Sequence, residues 1–110
     1  MLKRFKRRYL SIGIDSLDTF GSAEFMDSVW QSITKLYGEH GASYTHLKLI
    51  DYDADRNFAV LRIANVALDM TRAALASVTK IDNKPAALHV LSVSGTIKSL
   101  QKKTPTRANH

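Results

Sequence analysis

The order strand-helix-strand-strand-helix-strand, closed by a short terminal helix, predicts an α+β protein: a split βαβ sandwich of the ferredoxin-like (RRM-like) type. Three observations carry that reading. Period-two apolar runs open and close the structured region, two amphipathic stretches of helical period lie between them, and a polar turn joins two β-rich runs in the middle. The expected result is a four-stranded antiparallel sheet with two helices on one face plus a short C-terminal helix. In that topology the first and last strands are antiparallel neighbours. The start of one therefore lies beside the end of the other.

Each element has its own signal. Tyr9 to Ile14 alternates, with Leu10, Ile12 and Ile14 on one face, and reads as the first strand. From Ala23 to Tyr37 apolar residues recur at three and four, with Ser22 available as N-cap and Gly38 as a C-terminal stop. Tyr44 to Tyr52 and Asn57 to Ala64 are rich in β-branched and aromatic residues and flank the turn Asp53-Ala54-Asp55-Arg56, as in a hairpin. Asn65 is expected to cap a second helix over Val66 to Val78, with Ala67, Met70, Ala74, Leu75 and Val78 inside. Pro85 breaks the chain before a last strand, Ala86 to Val93, and Ser94-Gly95-Thr96 opens the short terminal helix. With 110 residues, 45% of them hydrophobic, there is room for one domain, expected over 1–103, with a disordered tail over 104–110.

Charge is distributed unevenly. Lys3, Arg4, Lys6, Arg7 and Arg8 crowd the N-terminus, and Lys84, Lys98, Lys102, Lys103 and Arg107 follow residue 83. All ten acids fall between Asp15 and Asp82. The net +6 thus comes from two cationic ends on a mildly acidic middle, a layout suited to a phosphate-rich partner. The chain has no cysteine, which removes disulfides and thiolate metal sites and agrees with a reducing, cytoplasmic location. Its apolar runs are far shorter than the roughly 20 residues a membrane span needs.

Several constellations bear on chemistry. The Ser94-Gly95-Thr96 turn offers backbone amides, hydroxyls and a helix start to a phosphate oxygen, with an ordinary cap as the alternative. Arg56 to Ile63 is a degraded RNA-recognition-motif strand in which only Phe58 supplies a stacking ring. Phe58, Val60 and Arg62 would share the open sheet face with Phe5, Arg7 and Tyr9. Asp51, Asp53 and Asp55 resemble the start of a calcium loop, but Arg56 stands at the obligatory Gly and Arg62 at the bidentate Glu. His40, His46 and His89 show no ligand spacing, and no phosphate loop or nucleophile elbow is present. No catalytic residue and no protein-held metal are expected.

Arg4-Phe5-Lys6-Arg7-Arg8-Tyr9-Leu10 and Val93-Ser94-Gly95-Thr96-Ile97-Lys98-Ser99-Leu100-Gln101-Lys102 closely resemble the two signature stretches of the ribonuclease P protein component 2 family. The intervening elements follow the family's order, and the short C-terminus is more similar to archaeal members. The resemblance implies an RNA-binding subunit of the ribonucleoprotein that removes 5′ leaders from precursor tRNA. It further implies that the RNA performs the hydrolysis with magnesium, and that the protein works beside ribonuclease P RNA and protein component 3. Arg4, Lys6, Arg7, Arg8, Tyr9, Gly95, Thr96, Lys98, Gln101 and Lys102 carry over as RNA-binding residues; the charge layout adds Lys3 and Lys103, and the Ser94-Gly95-Thr96 turn adds Ser94. A general RNA-binding or ribosome-associated module, and a regulatory domain acting through homodimerisation, remain as alternatives. No membrane partner is expected.

Overall fold

The computed structural model describes residues 6–98 and 100. The chain runs β1 (Arg7–Asp15), α1 (Ser22–Ser43), β2 (Lys48–Asp53), β3 (Phe58–Ala64), a 3-10 turn (Asn65–Ala67), α2 (Leu68–Ala76), β4 (Lys80–Ile81), β5 (Lys84–Pro85) and β6 (Ala87–Ser94). One four-stranded antiparallel sheet has the order β2-β3-β1-β6, as the split βαβ topology requires, while β4 and β5 form a separate small hairpin. A helical turn at Ile97 and Lys98 follows β6.

The alternation in β1 sends Leu10, Ile12 and Ile14 to the helix-covered side. Ala59, Leu61 and Ile63 of β3 join them, since Leu10 pairs with Leu61 and Ile12 with Ala59. Phe25, Val29 and Ile33 supply the inner stripe of α1, and Ala74 and Leu75 that of α2. Phe25 is fully buried and stacks at a tilt on Tyr52, with ring centroids 5.3 Å apart. The Tyr52 hydroxyl donates to the Phe20 carbonyl at 2.6 Å. Its pKa is raised, first by burial and then by the Glu24 carboxylate.

The element boundaries depart from the sequence reading in four places. Gly21 is the N-cap of α1 and Ser22 is its first helical residue; no side chain caps that end. Gly38 interrupts the helix at φ 74°, ψ 172° without ending it, and a further turn runs to Ser43. Tyr44 therefore closes that helix, and β2 begins only at Lys48. Thr45 is buried in the connection, its Oγ1 donating to the Ala42 carbonyl at 2.8 Å. Asn65 opens the 3-10 turn instead of capping an α-helix, and its N–H donates to the Lys6 carbonyl at 2.7 Å. Finally, Asp82 and Asn83, both at positive φ, make the tight turn of a small β4–β5 hairpin that takes in Pro85, where the sequence reading has only a break before the last strand. Residues 1–5, 99 and 101–110 lie outside the described part, so the expected tail over 104–110 does too.

Candidate nucleic-acid interface

Antiparallel pairing of β1 with β6 puts Tyr9 opposite Ser94, which joins the two cationic ends. Arg8 is half-buried, and its Nη1 donates to the Arg7 carbonyl at 3.1 Å. The same Nη1 lies 3.4 Å from where a Cβ on Gly95 would sit, so the guanidinium passes directly over the glycine. Lys6, Arg7 and Lys98 are exposed nearby along the chain. Among the described residues no ion pair neutralises Arg7, Arg8 or Lys98. The result is an edge where like charges from opposite ends of the sequence converge and remain available to a polyanion.

The turn after β6 is built around its own hydroxyl. Ser94 is buried, and its Oγ accepts the Thr96 N–H at 3.4 Å. The Leu100 N–H donates to the Thr96 carbonyl at 3.1 Å, and the buried Leu100 side chain anchors the turn while Gly95, Thr96 and Lys98 face outward. Gly95 is not among the residues at positive φ. Its lack of a side chain therefore matters for space beside Arg8 and not for backbone freedom.

Of the residues singled out from the sequence, Lys6, Arg7, Arg8, Tyr9, Ser94, Gly95, Thr96 and Lys98 come together here. Lys3, Arg4, Phe5, Gln101, Lys102 and Lys103 lie outside the described residues. The sheet face away from the helices presents Tyr9, Phe58 and Arg62, Val60 between them is buried, and a Ser11–Ser92 hydroxyl pair at 2.8 Å ties β1 to β6 on that side. Lys48, to which the sequence reading assigned no role, is on this face opposite Arg62. Its only signal in the sequence is a charge in the middle of the β-rich run from Tyr44 to Tyr52.

The central aspartates serve the hairpin. Asp53 accepts the Arg56 N–H through Oδ1 at 3.3 Å and holds its guanidinium through Oδ2 at 3.6 Å, while Asp51 accepts the Tyr52 N–H at 2.9 Å. Among the described residues no three His, Asp or Glu side chains group as a metal ion would need. His89 lies 3.9 Å from the exposed Asp15 carboxylate. Among the described residues no helix is long and apolar enough to cross a membrane.

Comparison with known proteins agrees with this architecture. Ribonuclease P protein component 2 of Methanosarcina acetivorans is 31% identical over 100 residues, covering 91% of this chain and 74% of that protein. The protein of the same name from Pyrococcus abyssi is 32% identical, with 91% and 85% covered. In fold, the chain resembles a subunit in the cryo-EM structure of yeast ribonuclease MRP, with a TM-score of 0.71 at 13% identity over 87% of this chain and 79% of that one. The profile of the Rpp14/Pop5 family matches residues 8–104, from Arg8 on the first strand to beyond the turn that follows the last, and the chain belongs to that family.

Proposed function

We propose that this protein is a cytoplasmic subunit of ribonuclease P that binds the catalytic RNA and supports removal of 5′ leaders from precursor tRNA. The observation that carries the reading is the convergence of Arg7 and Arg8 with the Gly95 turn on one cationic edge, whose charges have no ion pair among the described residues. Guanidinium and ammonium groups held at strand and helix ends keep their hydration until a phosphate replaces it, which favours polyanion binding without base specificity. In this reading the protein holds no cofactor, the RNA holds the magnesium and performs the hydrolysis, and protein component 3 is the protein partner.

The test is binding of ribonuclease P RNA by the full chain over a salt series, together with precursor-tRNA cleavage by the reconstituted holoenzyme with and without it. Arg7→Ala, Arg8→Ala and Lys98→Ala should each weaken binding and flatten its salt dependence, with circular dichroism unchanged. Wild-type binding by all three variants would overturn the cationic-edge assignment. Unaltered cleavage when the chain is omitted would overturn the ribonuclease P reading.

A further inference from the structure

The cationic surface does not stop at the edge. Register pairing across the sheet sets Ser94 opposite Tyr9, Tyr9 opposite Arg62, and Arg62 opposite Lys48. These residues form one row on the face away from the helices. With strands about 4.8 Å apart, the row is roughly 14 Å long and perpendicular to the strands. Lys48 is exposed, Tyr9 and Arg62 are partly so, and among the described residues neither base is ion-paired. The rows beyond it change sign: Asp51 stands opposite Val60 and Asp53 opposite Phe58. One end of the face thus carries net positive charge, and the other carries the Asp51 carboxylate beside the paired Asp53 and Arg56.

Resting on the RNA-binding reading above, we infer that Lys48, Arg62 and Tyr9 extend the site, so that single-stranded RNA leaving the Arg8–Gly95 edge crosses the sheet along this row. Lys48 and Arg62 contact phosphates and the Tyr9 ring stacks a base. The aspartate rows hold the strand to that end of the face. Charge complementarity chooses the occupant, since a row of two bases and a ring continuous with a cationic edge fits a phosphate backbone.

The probe is a fluorescently labelled uridine oligonucleotide titrated with the full chain at several salt concentrations. Lys48→Ala combined with Arg62→Gln should lower the salt slope by about 1.4, two phosphate contacts at about 0.7 each. Arg62→Lys should restore about half of that change. Tyr9→Leu should weaken binding roughly fivefold or more with the slope unchanged, whereas Tyr9→Phe should bind like wild type. Thermal melts on the same samples exclude misfolding, and Lys48→Ala alone, on an exposed edge position, keeps the test valid if Arg62→Gln fails to fold. If Arg8→Ala and Lys98→Ala weaken binding while the Lys48 and Arg62 variants do not, the row is overturned and the edge stands. If the Lys48 and Arg62 variants change only the sedimentation weight, the face belongs to a second copy and the RNA assignment is overturned. No binding of the oligonucleotide by the wild-type chain would overturn the row, and ribonuclease P RNA titrated in parallel separates that outcome from failure of the function itself.

Discussion

Gly95 and Tyr52 show how single atoms set behaviour here. A Cβ on Gly95 would sit 3.4 Å from Arg8 Nη1, an ordinary contact, and the backbone there needs no positive φ. Gly95→Ala should therefore keep the melting temperature and lower RNA affinity modestly, while Gly95→Val should displace the guanidinium and lower it further. Unchanged affinity in the valine variant would remove the turn from the site. At Tyr52 the hydroxyl's bond to the Phe20 carbonyl lies in the partly buried layer between sheet and helix. Tyr52→Phe leaves that carbonyl unpaired and should cost about 1 kcal/mol in denaturant unfolding. The raised pKa means that the folded chain holds the phenolic proton more tightly than the unfolded chain does. Its contribution is thus complete below pH 10, the ordinary tyrosine value, and is lost as pH rises through the folded value. Unfolding measured above that pH should show a loss of stability that Tyr52→Phe reduces.

Among the elements, α1 carries the feature most open to direct measurement. Gly38 has φ 74° and ψ 172°, a combination essentially confined to glycine, and a Cβ there would meet nothing within 4 Å. The cost of Gly38→Ala is therefore backbone strain alone, about 1–3 kcal/mol, and a chemical denaturation curve measures it. The kink redirects the chain so that the last turn of the helix delivers Thr45 to the interior, where its N–H bonds the Ala42 carbonyl and its own carbonyl accepts the Ala64 N–H. A second clasp operates at the same end of β3, where the Lys6 carbonyl accepts the Asn65 N–H. The basic N-terminal segment is thereby tied to the start of the 3-10 turn.

Taken whole, the molecule separates its charges by topology. The cationic ends meet because β1 and β6 are antiparallel neighbours, while Asp51, Asp53 and Asp55 are gathered at the β2–β3 hairpin. Asp51 and Asp53 are engaged by hairpin amides and Arg56. Replacing Asp51, Asp53 and Asp55 together by Asn should consequently leave cleavage by the reconstituted holoenzyme largely unchanged. A fall of orders of magnitude with assembly intact would return a catalytic role to them.

The strands, both helices and the sheet order were legible along the chain, because periods of two and of about three and a half are local properties of Leu10-Ile12-Ile14 and Phe25-Val29-Ile33. That the basic ends converge followed from topology alone. The Asp82-Asn83 hairpin escaped notice because two-residue strands are too short to show a period. The kink at Gly38 was hidden because glycine marks a stop and a bend alike. Only the folded chain placed Lys48, Arg62, Tyr9 and Ser94 in one row. The pairing of β2 with β3 shifts between Leu49 and Asp51, and that of β1 with β6 shifts between Ser11 and Ile12. Register at such irregularities is decided by which side chains the core accepts on the far face, and no single strand encodes that choice.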